Sequence, residues 1–300
     1  MCKYQGSGII VCIILNYNDA ETTLKLLNHI LSFSIFKHII IVDNKSTDDS
    51  WEKLQSLKNK KICLLQAPIN GGYGYGNNLG INYAYNTLKA EYALIANPDT
   101  IFEEGCIVKL VNGMRKFNDA GIISCKQANS LDWGWKDVSI IKYILSTSLF
   151  FEVWLKIRCY PQKYFKDKTI VKVFSVPGSL LLIDIAKMLE IGLYDTDIFL
   201  YYEEPILGQK FAEKGYQTYL MLDTAYIHLH NVSTMKVFRH WTRQHKVQLK
   251  SCITFLKKYK HADAGQIFIA HLFFIYTYLE FFIYDIFRII TSKKSKHSIS

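Results

Sequence analysis

The stretch IIVCIILNYN, residues 9–18, is a continuous apolar run that ends abruptly in polar side chains. Apolar runs of this length, without strict alternation, are typical of strands that are covered on both faces of a sheet. The run leads straight into Asn16 and contains no small-residue cleavage site. We therefore expect a buried first strand here rather than a secretory signal.

Three similar runs follow within the first hundred residues, at 38–42, 62–65 and 92–96. Between them lie segments whose apolar residues are three or four apart, at 20–33, 46–57 and 77–89, and this spacing predicts helices. Strands that alternate with helices predict an α/β domain. Its sheet should be mostly parallel, with right-handed crossovers and helices on both faces.

The composition of the chain supports a packed globular fold. Half of the 300 residues are hydrophobic and 21% are charged, which excludes intrinsic disorder. Seven cysteines are scattered along the chain without a CxxC pair, so neither a zinc ribbon nor a disulfide scaffold is expected. We expect buried, reduced thiols of the kind found in cytosolic proteins.

Positive charge is concentrated in the last fifth of the chain. Residues 235–300 contain 12 Lys and Arg against 3 Asp and Glu, a net charge of +9 out of +10 for the whole chain. We therefore divide the chain into a domain at residues 1–234 and a basic, helical C-terminal extension at residues 235–300. This asymmetry predicts an anionic partner surface, either a membrane or a nucleic acid.

Two helices are predicted in the extension. The first carries basic residues three and four apart, which therefore share one face: Lys236, Arg239, Arg243, Lys246 and Lys250. The second, at 267–290, is polar on one half of its helical wheel and apolar on the other. Such a helix suits a membrane interface, or packing within the protein, better than a membrane crossing. Because the chain has no recognisable nucleic-acid-reading module, we expect a membrane surface and no nucleic acid.

Polar residues follow each of the first four strands. They are Asn16, Asp43, Asn70 and the pair Asn97 and Asp99. Open α/β sheets bind their ligands outside the carboxyl ends of the strands. Asn, Asp and Gly also favour turns in any protein, but four clusters at one edge predict a site for a polar ligand.

The glycine-rich segment at 71–78 precedes a predicted helix but has neither a GxGxxG register nor a Walker lysine. This excludes the common dinucleotide and P-loop fingerprints. What remains is a loop whose backbone can approach a ligand closely, next to Asn77. Asp99 is a candidate ligand for a hard divalent cation that also binds phosphate oxygens, or else part of a turn and helix cap.

Two further clusters carry titratable groups. Glu203 and Glu204 open a predicted helix, where burial and mutual repulsion would raise the pKa of one carboxyl, as a general base requires. Complementarity to the helix dipole explains the pair equally well. His228 and His230 share a face of a predicted strand, so one of them could reach a metal ion, although a histidine at a strand end is more often structural.

Together these motifs resemble the family 2 glycosyltransferases, and among them the rhamnosyltransferase-like branch. The resemblance covers about residues 9–234 and is carried, in order, by Ile14-Leu15-Asn16-Tyr17-Asn18, Val42-Asp43-Asn44, the loop from Asn70 to Gly80, Asn97-Pro98-Asp99, Gly178-Ser179, Tyr202-Glu203-Glu204, Gly215-Tyr216 and His228 with Ser233. It implies a GT-A fold, which is Rossmann-like. It also implies inverting transfer of a sugar from a nucleoside diphosphate, either dTDP-rhamnose or a UDP-sugar.

The resemblance also implies a nucleotide-sugar site built from five of these residues. Asn16 and Asp43 correspond to positions against the nucleoside, with Asp43 on the base. Asn70, Gly76 and Asn77 correspond to the loop that flanks the sugar donor.

A metal and a base are implied in the same way. Asp99 matches the metal-binding position of the family's Asp-x-Asp motif, with Asn97 in place of the first Asp. His228 matches a frequent metal ligand, so Mg²⁺ or Mn²⁺ is the implied cofactor, with His230 the alternative ligand. Glu204 stands where the catalytic base, usually Asp, is found, and Glu203 is a substitute for it.

One departure from the family pattern concerns the acceptor. Pro205 and Ile206 follow the glutamates, where the family often has a further Asp. We expect a metal-dependent hexosyl- or rhamnosyltransferase of polysaccharide biosynthesis that extends a glycan or lipid-linked oligosaccharide. We expect it in the cytoplasm, peripheral on the inner face of the cell membrane. The alternative is a non-catalytic nucleotide-sugar-binding protein of the same fold.

Overall fold

The structure, a computed structural model, describes residues 8–229 and 241–297, with side chains of the last helix described as far as residue 286. The strands are β1 (Ile10–Asn16), β2 (His38–Asp43), β3 (Ile62–Gln66), β4 (Tyr92–Ala96), β5 (Thr100–Ile101), β6 (Ala120–Gln127), β7 (Ile170–Val173), β8 (Leu180–Asp184) and β9 (Gln217–His228). The helices are α1 (Ala20–Ile30), α2 (Ser50–Gln55), α3 (Tyr73–Asn86), α4 (Glu104–Lys116), α5 (Ile140–Leu145), α6 (Ile185–Glu190), α7 (Glu203–Glu213), α8 (Trp241–Tyr259) and α9 (Ala264–His297).

The strands form a mixed sheet in the order β3-β2-β1-β4-β8-β6-β9-β5, with β7 paired to β9. Strands β3, β2, β1 and β4 are parallel to one another, and β6 is parallel to β9. Strand β8 runs antiparallel between β4 and β6. The predicted α/β class with a mostly parallel central sheet is confirmed, and the four predicted strands of the first hundred residues are found within one residue of their ends.

The central strands are buried on both faces. Along β1, Ile10, Cys12 and Ile14 belong to one hydrophobic cluster, while Val11 and Ile13 belong to the other. Each face is covered by helices, so no polar alternation is needed, as the continuous apolar run at 9–15 predicts.

Helix α3 begins four residues earlier than the sequence predicts, at Tyr73 rather than Asn77. Glycines normally indicate a loop, but Gly74, Gly76 and Gly80 lie inside this helix. A Cβ at Gly76 would stand 2.3 Å from a methyl of Leu15, and one at Gly80 2.7 Å from Ile13. The glycines therefore let the helix pack closely on β1, which outweighs their low helix propensity.

The chain forms two compact units. Among the described residues the first contains 8–136, 159–199 and 203–229, and the second contains 137–158, 200–202 and 241–297. The proposed boundary between residues 234 and 235 lies outside the described residues and stays a prediction. Residues 137–158, which the sequence analysis grouped with the N-terminal domain, pack in the second unit, where the ring of Tyr143 lies 4.8 Å from that of Phe255.

The segment 138–155 is divided into two helical pieces. It contains α5 and a short π-helical turn, Phe150–Trp154. Between them the hydroxyls of Ser146 and Thr147 bond to carbonyls three residues earlier, at distances of 2.8 and 2.7 Å. Such local bonds compete with helix continuation.

The second unit is organised by the contact of α8 with α9. The imidazole of His245 stacks on Phe281, with 3.9 Å between ring centroids, and its Nε2 lies 2.9 Å from Oγ1 of Thr277. By length and composition alone, Ala264–Ile286 of α9 is apolar enough to cross a membrane, with a mean hydropathy of 1.7 and 22% of its most apolar stretch buried.

Replacing Gly72 with Ala should destabilise the first unit. Gly72 has φ 94° and ψ −177°, a backbone region that is essentially restricted to glycine, and a Cβ would lie 2.1 Å from the carbonyl oxygen of Phe199. We expect a loss of about 1–3 kcal/mol in the free energy of unfolding, measured by chemical denaturation. Gly105→Ala is the matched control, because nothing lies within 4 Å of a Cβ at that exposed helical position. Equal stabilities of the two variants would contradict this account.

Acid should destabilise the fold through His245. Burial lowers the pKa of this imidazole to about 4, below the value of about 6.5 expected in the unfolded chain. The unfolded state therefore binds more protons below pH 6.5, and stability should fall by about 2–3 kcal/mol between pH 6.5 and pH 4 from this group. Denaturation at several pH values should show a weaker dependence in His245→Gln than in wild type. The exposed-site control His271→Gln should behave like wild type; identical slopes in all three would refute the assignment.

Candidate active site

The predicted site residues meet at one edge of the sheet. Asn16 at the end of β1 is in register with Asp43 at the end of β2, and Ala96 at the end of β4 is opposite Leu180 at the start of β8. Because β6 and β9 run antiparallel to β8, their carboxyl ends lie at this edge too. The edge therefore collects loops from both halves of the sheet, as expected for an α/β ligand site.

Asp43 is the centre of a buried polar cluster. Its side chain is fully buried and accepts hydrogen bonds from Nδ2 of Asn16 at 2.9 Å, from N–H of Ser46 at 3.1 Å and from Nε2 of Gln66 at 3.4 Å. The hydroxyl of Ser46 donates to it as well. Asn16 is held in turn by Thr23, whose hydroxyl donates to its Oδ1. Four donors on one carboxylate fix its orientation.

The loop that precedes α3 is fastened to the same edge. Nδ2 of Asn44 donates to Oδ1 of Asn70 at 3.0 Å and to the carbonyl of Gly72 at 3.1 Å. Gly76 is buried against Asn44, whose Oδ1 would lie 3.2 Å from an added Cβ. Asn77 is fully buried, and its Nδ2 donates to the carbonyl of Tyr73 at 3.1 Å. These residues shape the loop that was predicted to flank a sugar donor.

Asp99 and His228 are in direct contact. Oδ1 of Asp99 lies 3.1 Å from Nε2 of His228, and the Asp99 carboxylate is 5% exposed. The backbone of His228 is fixed by Asn129, whose amide donates to the His228 carbonyl at 2.7 Å. The pairing of β5 with β9 brings the two residues together, since Thr100 is in register with His228. Residue 230 lies outside the described residues, so its proposed role as an alternative ligand stays a prediction.

The pair fits a divalent cation. Neighbouring ligands about 2.1 Å from an octahedral ion are about 3.0 Å apart, close to the Asp99–His228 distance of 3.1 Å. A carboxylate oxygen with an imidazole nitrogen is an acceptable donor set for Mn²⁺. Within residues 8–229 and 241–286 no group of three or more His, Cys, Asp and Glu residues converges on such a point. With Asp99 and His228 as ligands, an octahedral ion would keep positions for phosphate oxygens and water.

Of the two adjacent glutamates, Glu204 faces the sheet edge. Its Oε1 accepts a hydrogen bond of 3.1 Å from N–H of Gly178, directly before β8, and the side chain is half-buried. Glu203 is 7% exposed. Asn97, in turn, donates its backbone N–H to the carbonyl of Ser179 at 2.9 Å. The Gly178–Ser179 turn thus lies between the strand end that carries Asp99 and the helix start that carries Glu204.

Tyr73 connects the glycine-rich loop to this turn. Its hydroxyl donates to the carbonyl of Gly178 at 2.8 Å. Burial raises the pKa of the Tyr73 phenol, and the nearby carboxylates of Glu204 and Glu203 raise it further, so the group stays protonated and acts as a hydrogen-bond donor. The two loops are therefore joined beside the candidate base.

Three residues of the motifs that carry the family resemblance contribute to the site but were not predicted as site residues: Asn44, Ser46 and Tyr73. For Asn44 and Ser46, the position directly after a strand was a further signal. The contact of Tyr73 could not be predicted, because it depends on a residue 105 positions away in the chain.

Two comparisons with known proteins bear on this arrangement. A family model described as glycosyl transferase family 2 matches residues 11–187. The chain belongs to glycosyltransferase family 2. A characterised relative, the low-salt glycan biosynthesis hexosyltransferase Agl10 of Haloferax volcanii, is 26% identical over 205 residues, which are 68% of this chain and 62% of that protein. The alignment thus spans less than two thirds of Agl10.

Solved structures of similar fold are also glycosyltransferases. Mannosyltransferase PcManGT from Pyrobaculum calidifontis, in complex with GDP-Man and Mn²⁺, superposes with a TM-score of 0.56 at 14% identity, covering 82% of this chain and 63% of that one. Residues 1–349 of S. aureus TarS, in complex with UDP-GlcNAc, give a TM-score of 0.55 at 15% identity, covering 86% and 69%. The predicted GT-A fold is confirmed.

Removing the Asp43 carboxylate should destabilise this family 2 protein. In Asp43→Ala the buried amide of Asn16 and the N–H of Ser46 lose their acceptor, and each buried unsatisfied group costs about 1–3 kcal/mol. We expect the free energy of unfolding to fall by at least about 2 kcal/mol in urea denaturation. Glu52→Ala, at an exposed position of α2, should have no such effect. A stable Asp43→Ala protein would show that the cluster is not structurally important.

Proposed function

We propose that this chain transfers a sugar, with inversion, from a nucleoside-diphosphate donor to a hydroxyl of a growing glycan. The observation that carries the proposal is the junction at Gly178–Ser179, which bonds to Asn97 on one side and to Glu204 on the other. A candidate base and a candidate diphosphate site thereby lie at the same sheet edge. The residues proposed to bind the sugar donor are Asn16, Asp43, Asn70, Gly76, Asn77, Asn97 and Asp99.

In this mechanism Glu204 removes the proton from the attacking acceptor hydroxyl. Its hydrogen bond from Gly178 orients the carboxylate at the sheet edge, as a general base requires. Glu203 is the substitute base, but its deeper burial favours Glu204. Asn16 and Asp43 hold the nucleoside, so that the anomeric carbon is held in place for attack.

Asp99 and His228 are proposed to hold Mg²⁺ or Mn²⁺. When bound, the ion would neutralise charge that develops on the departing diphosphate. The 3.1 Å separation of the two ligand atoms supports this role. PcManGT was solved with GDP-Man and Mn²⁺, which is consistent with a metal-assisted reaction here. The sugar donor is either dTDP-rhamnose or a UDP-sugar.

The acceptor is proposed to be lipid-linked, and the protein to lie peripherally on the cytoplasmic face of the cell membrane. Support comes from the second unit, where large apolar side chains of α9 are solvent-exposed, among them Phe268, Leu272, Ile275 and Phe282. The excess of basic residues in the extension suits anionic lipid headgroups.

The sugar donor can be identified with a thermal-shift panel of nucleotide sugars, each with and without Mn²⁺. We expect one of them to raise the melting temperature in a metal-dependent way. Donor hydrolysis should then require the metal and stop when a chelator is added. A stabilising sugar donor that is never hydrolysed or transferred would favour the alternative, a non-catalytic nucleotide-sugar-binding protein.

Glu204→Gln should lower turnover by about 10²–10⁴-fold with little change in donor affinity, because a base contributes to the transition state. Asp99→Ala should lose both turnover and metal-dependent donor binding. Glu213→Gln, at the exposed end of α7, is the control for a charge change on the same helix. The measurements are donor-hydrolysis rates and calorimetric donor affinities.

Comparing Glu203→Gln with Glu204→Gln decides between the two carboxylates. A larger loss in Glu203→Gln would assign the base to that residue. Unchanged rates in Glu204→Gln and Asp99→Ala would overturn the mechanism.

A further inference from the structure

Helix α9 leaves most of its large apolar side chains exposed, although it also buries some polar ones. Thr277 is buried against His245, and Asp285 accepts hydrogen bonds from backbone N–H of Trp241 and Thr242 at the start of α8. The apolar residues that α9 buries are Ile267, Ala270, Phe274 and Phe281. The side chains that are large, apolar and exposed on α9 are Phe268, Ile269, Leu272, Ile275, Tyr276, Tyr278, Leu279, Phe282, Ile283, Tyr284 and Ile286. An exposed apolar surface of this extent indicates a binding surface.

The carboxylate of Glu280 on α9 bonds to backbone groups of the same unit. Oε1 and Oε2 of Glu280 each accept a backbone N–H, from Phe150 and Leu149, at 3.2 Å. On α8, Lys246 and Lys250 are exposed, and among the described residues no carboxylate pairs with either of them. The surface formed by the two helices therefore keeps an uncompensated positive charge beside an apolar face.

A groove of about 730 Å³ lies between α8 and α9, which is within the size range of ligand sites. Leu249 and Phe274 are buried at its base. Ile275 and Leu279 form part of its α9 wall, and Lys246 and Lys250, one turn apart on α8, belong to its lining. Among the described residues that line the groove there is no carboxylate.

We propose that this groove binds the hydrocarbon chain of an anionic phospholipid from the bilayer, with the lipid phosphate held by Lys246 and Lys250. This inference rests on the proposed membrane location and adds a defined lipid site to it. The apolar walls of the groove are complementary to the hydrocarbon chain of the lipid, and the two adjacent ammonium groups are complementary to its phosphate. A second copy of this protein fits less well, because symmetric pairing would bring the same lysines close to each other.

A lipid in this groove is also consistent with the exposed side chains of α8 and α9 outside it. Segment Ala264–Ile286 is about 34 Å long at 1.5 Å per residue, and its apolar side chains can enter the acyl region while α9 lies in the interface plane. Exposed Arg243, Lys246, Lys250 and Lys257 on α8 then lie at headgroup level.

The first experiment uses the full-length protein and a short-chain phosphatidylglycerol below its micelle concentration, titrated by calorimetry. We expect saturable binding of one lipid, at least about tenfold weaker in Lys246→Gln/Lys250→Gln, which removes two phosphate contacts. Lys257→Gln/Lys258→Gln removes the same charge from α8 outside the groove and should bind like wild type. Ile275→Asn, at an exposed position, should also weaken binding, because it removes an apolar contact to the hydrocarbon chain of the lipid and leaves the phosphate contacts intact.

Headgroup probes distinguish the ligand sources. Glycerol phosphate that binds as tightly as the lipid would reduce the site to a free-phosphate site and overturn the proposal. Equal binding of short-chain phosphatidylcholine would overturn the role of the lysines in selecting an anionic lipid.

Flotation with vesicles of equal parts phosphatidylcholine and phosphatidylglycerol separates this inference from the proposed function. If both double variants lose vesicle binding equally, membrane attachment stands but the groove site is wrong. If wild type does not bind vesicles at all, the proposed membrane location fails together with the lipid site. Donor hydrolysis measured on the same preparations tests glycosyl transfer independently of both.

Discussion

The antiparallel pairing of β8 with β4 is the interaction on which the candidate active site depends. It brings the Gly178–Ser179 turn beside the carboxyl end of β4, where Asn97 bonds to Ser179. Glu204 bonds to Gly178, and Asn97, two residues before Asp99, bonds to Ser179. Without β8 these two hydrogen bonds would not link the start of α7 to the end of β4. The reversed strand β8 thus joins the half of the sheet that is proposed to bind the nucleotide to the half that carries His228 and Glu204, the proposed base.

Two kinds of constraint hold the loops at this edge. One is the saturation of a buried carboxylate: Asp43 binds donors from three separate chain segments, so that no member can move without leaving a polar group unsatisfied. The other is steric, because Gly76 and Gly80 allow α3 to approach β1 more closely than any side chain would permit. Both constraints keep the site rigid before any ligand arrives, which reduces the entropy lost on binding.

The second unit differs from the first in which side chains it buries. In the first unit apolar side chains are buried on both faces of the sheet, whereas in α9 the buried positions include Thr277 and Asp285. Polar groups can be buried there because each finds a hydrogen-bond partner in α8 or its start. Large apolar side chains such as Phe268 and Ile275 remain exposed, which is consistent with the proposed membrane contact.

The sequence by itself determined the strand positions, the α/β class and the convergence of Asn16, Asp43 and Asp99 at one edge. These follow from local patterns. A strand that is covered on both faces can be recognised from its continuous apolar run alone, whichever strands flank it. Parallel strands then end at the same edge of the sheet. The sequence also identified Glu204 and His228 as candidates, and the family motifs assigned roles to them. Only the tertiary structure decided that Glu204 contacts Gly178 and that Asp99 contacts His228, since these pairs are 26 and 129 residues apart. It also decided that the glycines before Asn77 are helical and that Thr277 and Asp285 of α9 are buried. A helical wheel divides a helix into two faces, but which face is buried depends on the hydrogen-bond partners that other segments bring to it.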